Sequence, residues 1–125
     1  MVVLDTCALI DACDVNPTMS KKTLKLIESG AFILSVSFAE IACKVKLKKL
    51  HMLTTPKLLF SEFSQIKNVA IIDIGVDEWL DSIELDWPDN KDPADRIITA
   101  FAIKKSIPIV STDQKIKSFY KKVIW

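Results

Sequence analysis

Short runs of β-branched and aliphatic residues alternate along this chain with longer segments of helical period, and that alternation restricts the fold more than any other feature. "MVVLD", "AFILSV", "VAIIDI" and "IPIVST" read as buried strands, with "KKVIW" as a fifth at the end. Between them, "SKKTLKLIES" has helical spacing and stops at Gly30, and "FAEIACKVKLKKL" is a helix with a basic face. "PKLLFSEFSQIK" opens on Pro56, "VDEWLDSIEL" is short and acidic, and "PADRIITAFAIKKS" carries apolar Ile97, Ile98, Phe101 and Ala102 before closing on lysines. Strands alternating with helices predict an α/β fold, a parallel sheet covered by helices on both faces. No repeat or Gly/Ser linker divides the 125 residues, so residues 1–125 are expected to form one domain, large enough to bury a core without metal or disulfide staples.

The N-terminal segment has no basic stretch ahead of an apolar one, and Asp5 interrupts its apolar run, so it does not read as a secretory leader. No apolar run approaches the roughly 18 residues of a membrane span, and no membrane partner is expected. Cys7, Cys13 and Cys43 are odd in number and lack CxxC spacing, which predicts reduced structural thiols in a cytoplasmic protein. The net charge of +1 conceals segregation: Lys44 to Lys57 holds five lysines and no acid, and Asp73 to Asp95 holds nine acids and one lysine. The tail from Lys104 to Lys122 has six lysines against Asp113. Solvated helix faces account for each block alone, while two basic blocks around an acidic one suit a protein that attracts a polyanion and holds cations.

In a parallel α/β sheet the strand C-termini and the following helix N-termini share one edge, where ligands bind. Asp5 ends the first strand, Glu40 follows the second, Asp95 lies in the first turn of the helix feeding the fourth, and Asp113 ends the fourth. Each has a structural explanation. Asp92 caps a helix that has Pro93 at its first position, "SFAE" reads as a capping box with Ser37 bonding forward and Glu40 reaching back, and Asp5 and Asp113 can cap the turns after their strands. A cap does not need acidic neighbours, however. Two carboxylates about 5 Å apart repel by roughly 3 kcal/mol at an effective dielectric near 20, so a cluster must raise some pKa values or hold a cation. Oxygen donors without histidine or thiolate favour Mg²⁺ or Mn²⁺ over zinc. His51, the single histidine, reads as a surface or packing residue.

No nucleophile suits acyl transfer and no GxxxxGK[ST] is present, which leaves phosphodiester hydrolysis as the chemistry that carboxylates with a hard ion perform well. The lysines agree with it, because affinity for RNA or DNA comes mostly from phosphate neutralisation. Lys44, one turn after Glu40, is expected to pair with that glutamate, with contact to a substrate phosphate as the other role; Arg96 is a second candidate for that contact.

"VVLDTCALI", "SFAEIACKVKLKKL", "KDPADRIITAFAIKK", "IPIVSTDQKIKSF" and the closing "VIW" resemble, in order and nearly end to end, the PIN-domain ribonucleases of the VapC type, toxins of bacterial and archaeal toxin–antitoxin pairs. The resemblance implies a three-layer α/β/α domain with strand order 3-2-1-4-5, and an endoribonuclease dependent on Mg²⁺ or Mn²⁺, with one or two ions. It also implies a homodimer and a cognate antitoxin. The family's acidic quartet falls on Asp5, Glu40, Asp95 and Asp113, its hydroxyl positions on Thr6 and Thr112, and Asp92 becomes a cap with an outer role. Close relatives often carry histidine at Cys7, tryptophan at Ala39 and phenylalanine at Ala94, departures that bear on packing and substrate preference. Leu58, Phe60 and Phe63 are candidates for a partner surface, with at least half of them expected in the core. Two other readings compete: a non-catalytic RNA- or partner-binding module of the same fold, and a phosphate-accepting receiver domain with Asp73 as acceptor.

Overall fold

Val2 and Leu4 join one buried cluster and Val3 the other, the period-two pattern of a strand covered on both faces. A computed structural model describes residues 1–125. The strands β1 (Val2–Leu4), β2 (Ala31–Leu34), β3 (Val69–Ile72), β4 (Ile109–Val110) and β5 (Val123–Ile124) form one sheet in the order β3-β2-β1-β4-β5. Every pairing is parallel, with Val3 opposite both Phe32 and Ile109.

Seven helices cover it: α1 (Thr6–Ala12), α2 (Lys21–Ser29), α3 (Ser35–Lys46), α4 (Pro56–Ser64), α5 (Val76–Ile83), α6 (Pro93–Lys105) and α7 (Gln114–Phe119). Ala8, Leu9, Ile41 and Leu59 bring α1, α3 and α4 onto one face. Ile97, Ile98, Ala102 and Ile116 bring α6 and α7 onto the other. Each fully buried aliphatic side chain contributes about 1.5–3 kcal/mol. With strands only two to four residues long, these two faces rather than the hydrogen-bond ladder hold the sheet. The order places β1 at the centre, with the chain turning to β2 on one side and to β4 on the other. Ligand crevices of open α/β sheets form at such a switch point, beyond the strand C-termini.

The five strands lie where the sequence predicts them, but several local expectations need correction. α3 begins at Ser35 directly after β2, so the "SV" of "AFILSV" is helical, and its first residue follows Leu34 without a side-chain cap. The "SFAE" capping box is therefore absent. α1 and α7, of seven and six residues, are too short to show a hydrophobic period in sequence and start at the strand-terminal aspartates themselves. The receiver-domain reading fails on topology, because that fold places its third strand beside the first, whereas β3 is here an edge strand and carries Asp73 away from Asp5. Leu58 and Phe60 are exposed and only Phe63 packs on the core, which corrects the expectation that at least half would be buried. Cys7, Cys13 and Cys43 are free and at the surface rather than packed inside.

Thr99 on α6 is fully buried, and its hydroxyl has no hydrogen-bond partner. An unsatisfied buried hydroxyl costs about 1–3 kcal/mol, and valine has the same shape. Thr99→Val is therefore expected to stabilise the protein by about 1 kcal/mol in urea unfolding, with an unchanged m-value.

Candidate active site

Three aspartates at this edge are helix caps. The Ala8 N–H donates to Asp5 Oδ1 at 2.7 Å, the Ile116 N–H to Asp113 Oδ1 at 3.0 Å, and the Ala94 and Asp95 N–H groups to Asp92 Oδ1 at 2.8 and 3.3 Å. The capping explanations therefore hold for Asp5, Asp92 and Asp113, yet they do not exhaust these residues. Asp5 is only 5% exposed, and burial raises its pKa above the usual carboxylate range. A Ser111 hydroxyl and the Ala8 amide oppose that shift, and the charges of Asp113 and Glu40 add to it. Burial likewise pushes Asp95 up to about 6; an Asn90 hydrogen bond works against it, while Asp92, Asp113 and Glu40 reinforce it. Asp5 and Asp95 thus both feel Asp113 and Glu40, and the tertiary fold joins four acids from distant parts of the sequence into one electrostatic cluster.

Glu40 is not a cap. It accepts a hydrogen bond from the Thr6 hydroxyl, and Thr6 and Ser37 are hydrogen-bonded at 3.1 Å, so α1 and α3 fix the glutamate between them. The bond to Glu40 comes from Thr6 rather than from the expected Lys44. Lys44 is half-buried, and its charge acts on Cys7 together with those of Asp5, Glu40 and Asp113, which places it at the rim of the cluster. Cys7 is raised by desolvation first and by Asp5 second, which suppresses its thiolate. Asp92 is exposed and Asp95 half-buried. Ala39 is exposed, Ala94 is buried, and His51 is at the surface.

Arg96 does not face a substrate. Only 9% exposed, it donates from Nε to Asn90 O, from Nη1 to Ser82 O and Leu85 O, and from Nη2 to Trp87 O, at 2.7 to 3.3 Å. Its fork, fixed in the first turns of α6, gathers the segment between α5 and α6. The expected role of Thr112 also shifts, since Thr112 is exposed and the buried hydroxyl beside Asp5 is Ser111, which accepts from the Asp113 N–H at 3.0 Å. Asn90 and Ser111 were missed in the sequence, and Ser37 was read there only as a cap. Nothing local marks them; only strand and helix adjacency turns three ordinary polar residues into supports for the acids.

The donor set is entirely oxygen, which fits a hard divalent cation. No three of the acids stand close enough together to surround one ion as they are. The electrostatics give a direct test in the metal-free protein. Because the folded-state pKa of Asp95 is raised, its contribution to stability is full below the unfolded value of 3.8 and is lost as pH rises through about 6. Asp95→Asn should therefore stabilise the metal-free protein at pH 7.5, by on the order of 1 kcal/mol after allowance for solvent screening, and have no such effect near pH 4. Thermal melts at the two pH values check this.

A parallel sheet in the order 3-2-1-4-5, with carboxylates beside its central switch point, defines an open α/β domain with an acidic edge. Residues 2–122 match the family model described as the PIN domain, and the chain belongs to the PIN domain family. No curated protein matches its sequence. Among solved structures, a toxin–antitoxin complex from Klebsiella pneumoniae is similar at 19% identity and a TM-score of 0.71, over 100% of this chain and 97% of that one. The Mycobacterium tuberculosis toxin VapC20, described as cleaving the sarcin-ricin loop, matches at 13% identity and a TM-score of 0.65 over 94% of each chain. FitAcB from Neisseria gonorrhoeae matches at 16% identity and a TM-score of 0.60, over 100% of this chain and 97% of that one. These similarities are in fold.

Proposed function

We propose that this protein is an endoribonuclease dependent on a divalent metal ion, Mg²⁺ or Mn²⁺, and the toxin of a toxin–antitoxin pair. The observation that carries the reading is the placement of Asp5, Glu40, Asp95 and Asp113 at or near the starts of α1, α3, α6 and α7, beside the sheet switch point. Membership of the PIN domain family and the toxin–antitoxin complexes among similar folds support it. Asp5, Asp95 and Asp113 are the residues that would hold the first ion, through its bound waters where they do not reach it directly, with Glu40 available to a second. When bound, the ion supplies positive charge at the scissile phosphate and lowers the pKa of water. Glu40, oriented by Thr6, holds the attacking water on the side of α3, and Lys44 at the rim neutralises a neighbouring phosphate.

The same reading includes an antitoxin that covers the acidic edge, and a homodimer. Exposed apolar residues support such contacts: Leu58 and Phe60 on α4, and Val76, Leu80 and Ile83, which form one stripe along α5. No helix is long and apolar enough to cross a membrane. Residues 1–125 act as one domain, in the cytoplasm, where free thiols persist. A second reading, a non-catalytic RNA- or partner-binding module, is favoured by a single observation, that no three acids are already gathered for an ion.

Cleavage of defined RNAs by the purified protein decides between them. Cutting with Mn²⁺ or Mg²⁺ that falls to background in EDTA and returns on adding the metal is the expected result. RNA binding that survives EDTA with no cleavage under any metal condition would favour the binding module.

A further inference from the structure

Asn90 is 2% exposed, at the end of the "DWPDN" segment, and each of its polar groups has an assigned partner. Its side-chain Oδ1 accepts from the Asp92 N–H at 2.9 Å, and its backbone carbonyl accepts from Arg96 Nε at 2.9 Å. Its Nδ2 donates to Asp95 Oδ2 at 2.9 Å. The first two bonds are what a turn before a helix requires, and a serine could supply the side-chain one, because hydroxyls close the same turns more weakly. The third has no such purpose. α6 is already capped by Asp92, and a half-exposed carboxylate can be hydrated without help. The bond engages Oδ2 of Asp95 with a buried donor on the preceding segment.

Arg96 fixes that segment. Its remaining donors hold Ser82 O, Leu85 O and Trp87 O, so the segment leading to Asn90 is fastened to the helix that carries Asp95. Trp87 stacks on Phe119 at 4.6 Å and 11°, which fastens the same segment to α7, the helix capped by Asp113. We infer that Asn90 is a positioning residue for Asp95, itself immobilised by Arg96, and that it presets the acid's geometry for a divalent ion. This rests on the metal-dependent reading of the site.

The test is Mn²⁺ binding by calorimetry on the full chain without RNA, with cleavage at saturating Mn²⁺ measured beside it. Asn90→Ser retains a turn acceptor but has no donor that reaches Asp95. It should weaken Mn²⁺ binding about tenfold or more and slow cleavage, as loss of an outer partner of a metal ligand commonly does. In an Asp95→Asn background it should weaken Mn²⁺ binding no further, because the two act through one carboxylate. Tyr120→Phe, which removes a 2.9 Å bond to Ile107 O elsewhere in the fold, should leave Mn²⁺ affinity unchanged and so controls for general loss of stability. Asn90→Thr, bulkier and still without the donor, serves if the serine variant is unfolded. A folded Asn90 variant with wild-type Mn²⁺ affinity and cleavage would overturn the inference while Asp95→Asn still weakens binding. If Asp95→Asn itself left Mn²⁺ affinity unchanged, the assignment of the site would fall, and this inference with it.

Discussion

Asp5→Asn is expected to leave the protein folded and to remove its nuclease activity. Asparagine keeps the carbonyl oxygen that accepts the Ala8 N–H, so the start of α1 survives. It deletes the most buried charge in the cluster. Asp5 is held above the usual carboxylate range by burial and by Asp113 and Glu40, so loss of that charge relieves repulsion, and the metal-free variant should melt no lower than the wild type near neutral pH. Activity should respond in the opposite sense, because the carboxylate that destabilises the empty site is one that the proposed function assigns to the ion. Removing about 4 kcal/mol of transition-state stabilisation corresponds to roughly a thousandfold in rate. Single-turnover RNA cleavage in Mn²⁺, beside a melting curve, checks both halves. Activity within tenfold of wild type would reject the assignment, and an unfolded variant would show that the cap, not the charge, dominates at this position.

Arg96→Met should be the most damaging single change away from the acids. The guanidinium satisfies four backbone carbonyls in a region with little access to water. Methionine fills much of the volume and leaves Ser82 O and Asn90 O unpaired, each at a cost of about 1–3 kcal/mol unless water enters, while Leu85 O and Trp87 O lose one of two donors and keep the Trp87 and Asn90 N–H groups at 2.8 and 3.4 Å. A net loss of roughly 3 kcal/mol or more is expected in urea unfolding, a large part of the 5–15 kcal/mol typical of a domain. Arg96→Lys should recover little, because an ammonium is a point donor and cannot span a fork. A loss below about 1 kcal/mol for Arg96→Met would show that the Ser82–Asn90 segment is held mainly by Trp87 on Phe119.

Arg96 also shows what could not be read in advance. Beside Asp95 in "DPADR", it has the look of a phosphate contact, and nothing local distinguishes an arginine aimed at a ligand from one turned inward. The carbonyls it holds are backbone atoms six to fourteen residues away, without side-chain identity to recognise. Glu40 failed locally for a related reason. Its spacing from Ser37 matched a capping box, but the helix starts earlier and the glutamate belongs to Thr6, across the α1–α3 contact.

The sequence by itself determined the elements with a strong period and the acidic character of the edge. Five apolar runs, read against intervening helical segments, require a sheet buried on both faces, and that class of sheet carries Asp5, Glu40, Asp95 and Asp113 to one end. Those features are local or follow from the single hand of βαβ crossovers. Only the tertiary structure decided which oxygen of each acid is occupied, that Asn90 donates to Asp95, that Ser111 rather than Thr112 is the buried hydroxyl, and that Arg96 serves the fold. Each of these depends on a hydrogen bond or a buried contact between separate elements. Such bonds are directional over about 3 Å, whereas hydrophobic pattern specifies only which face of an element is covered.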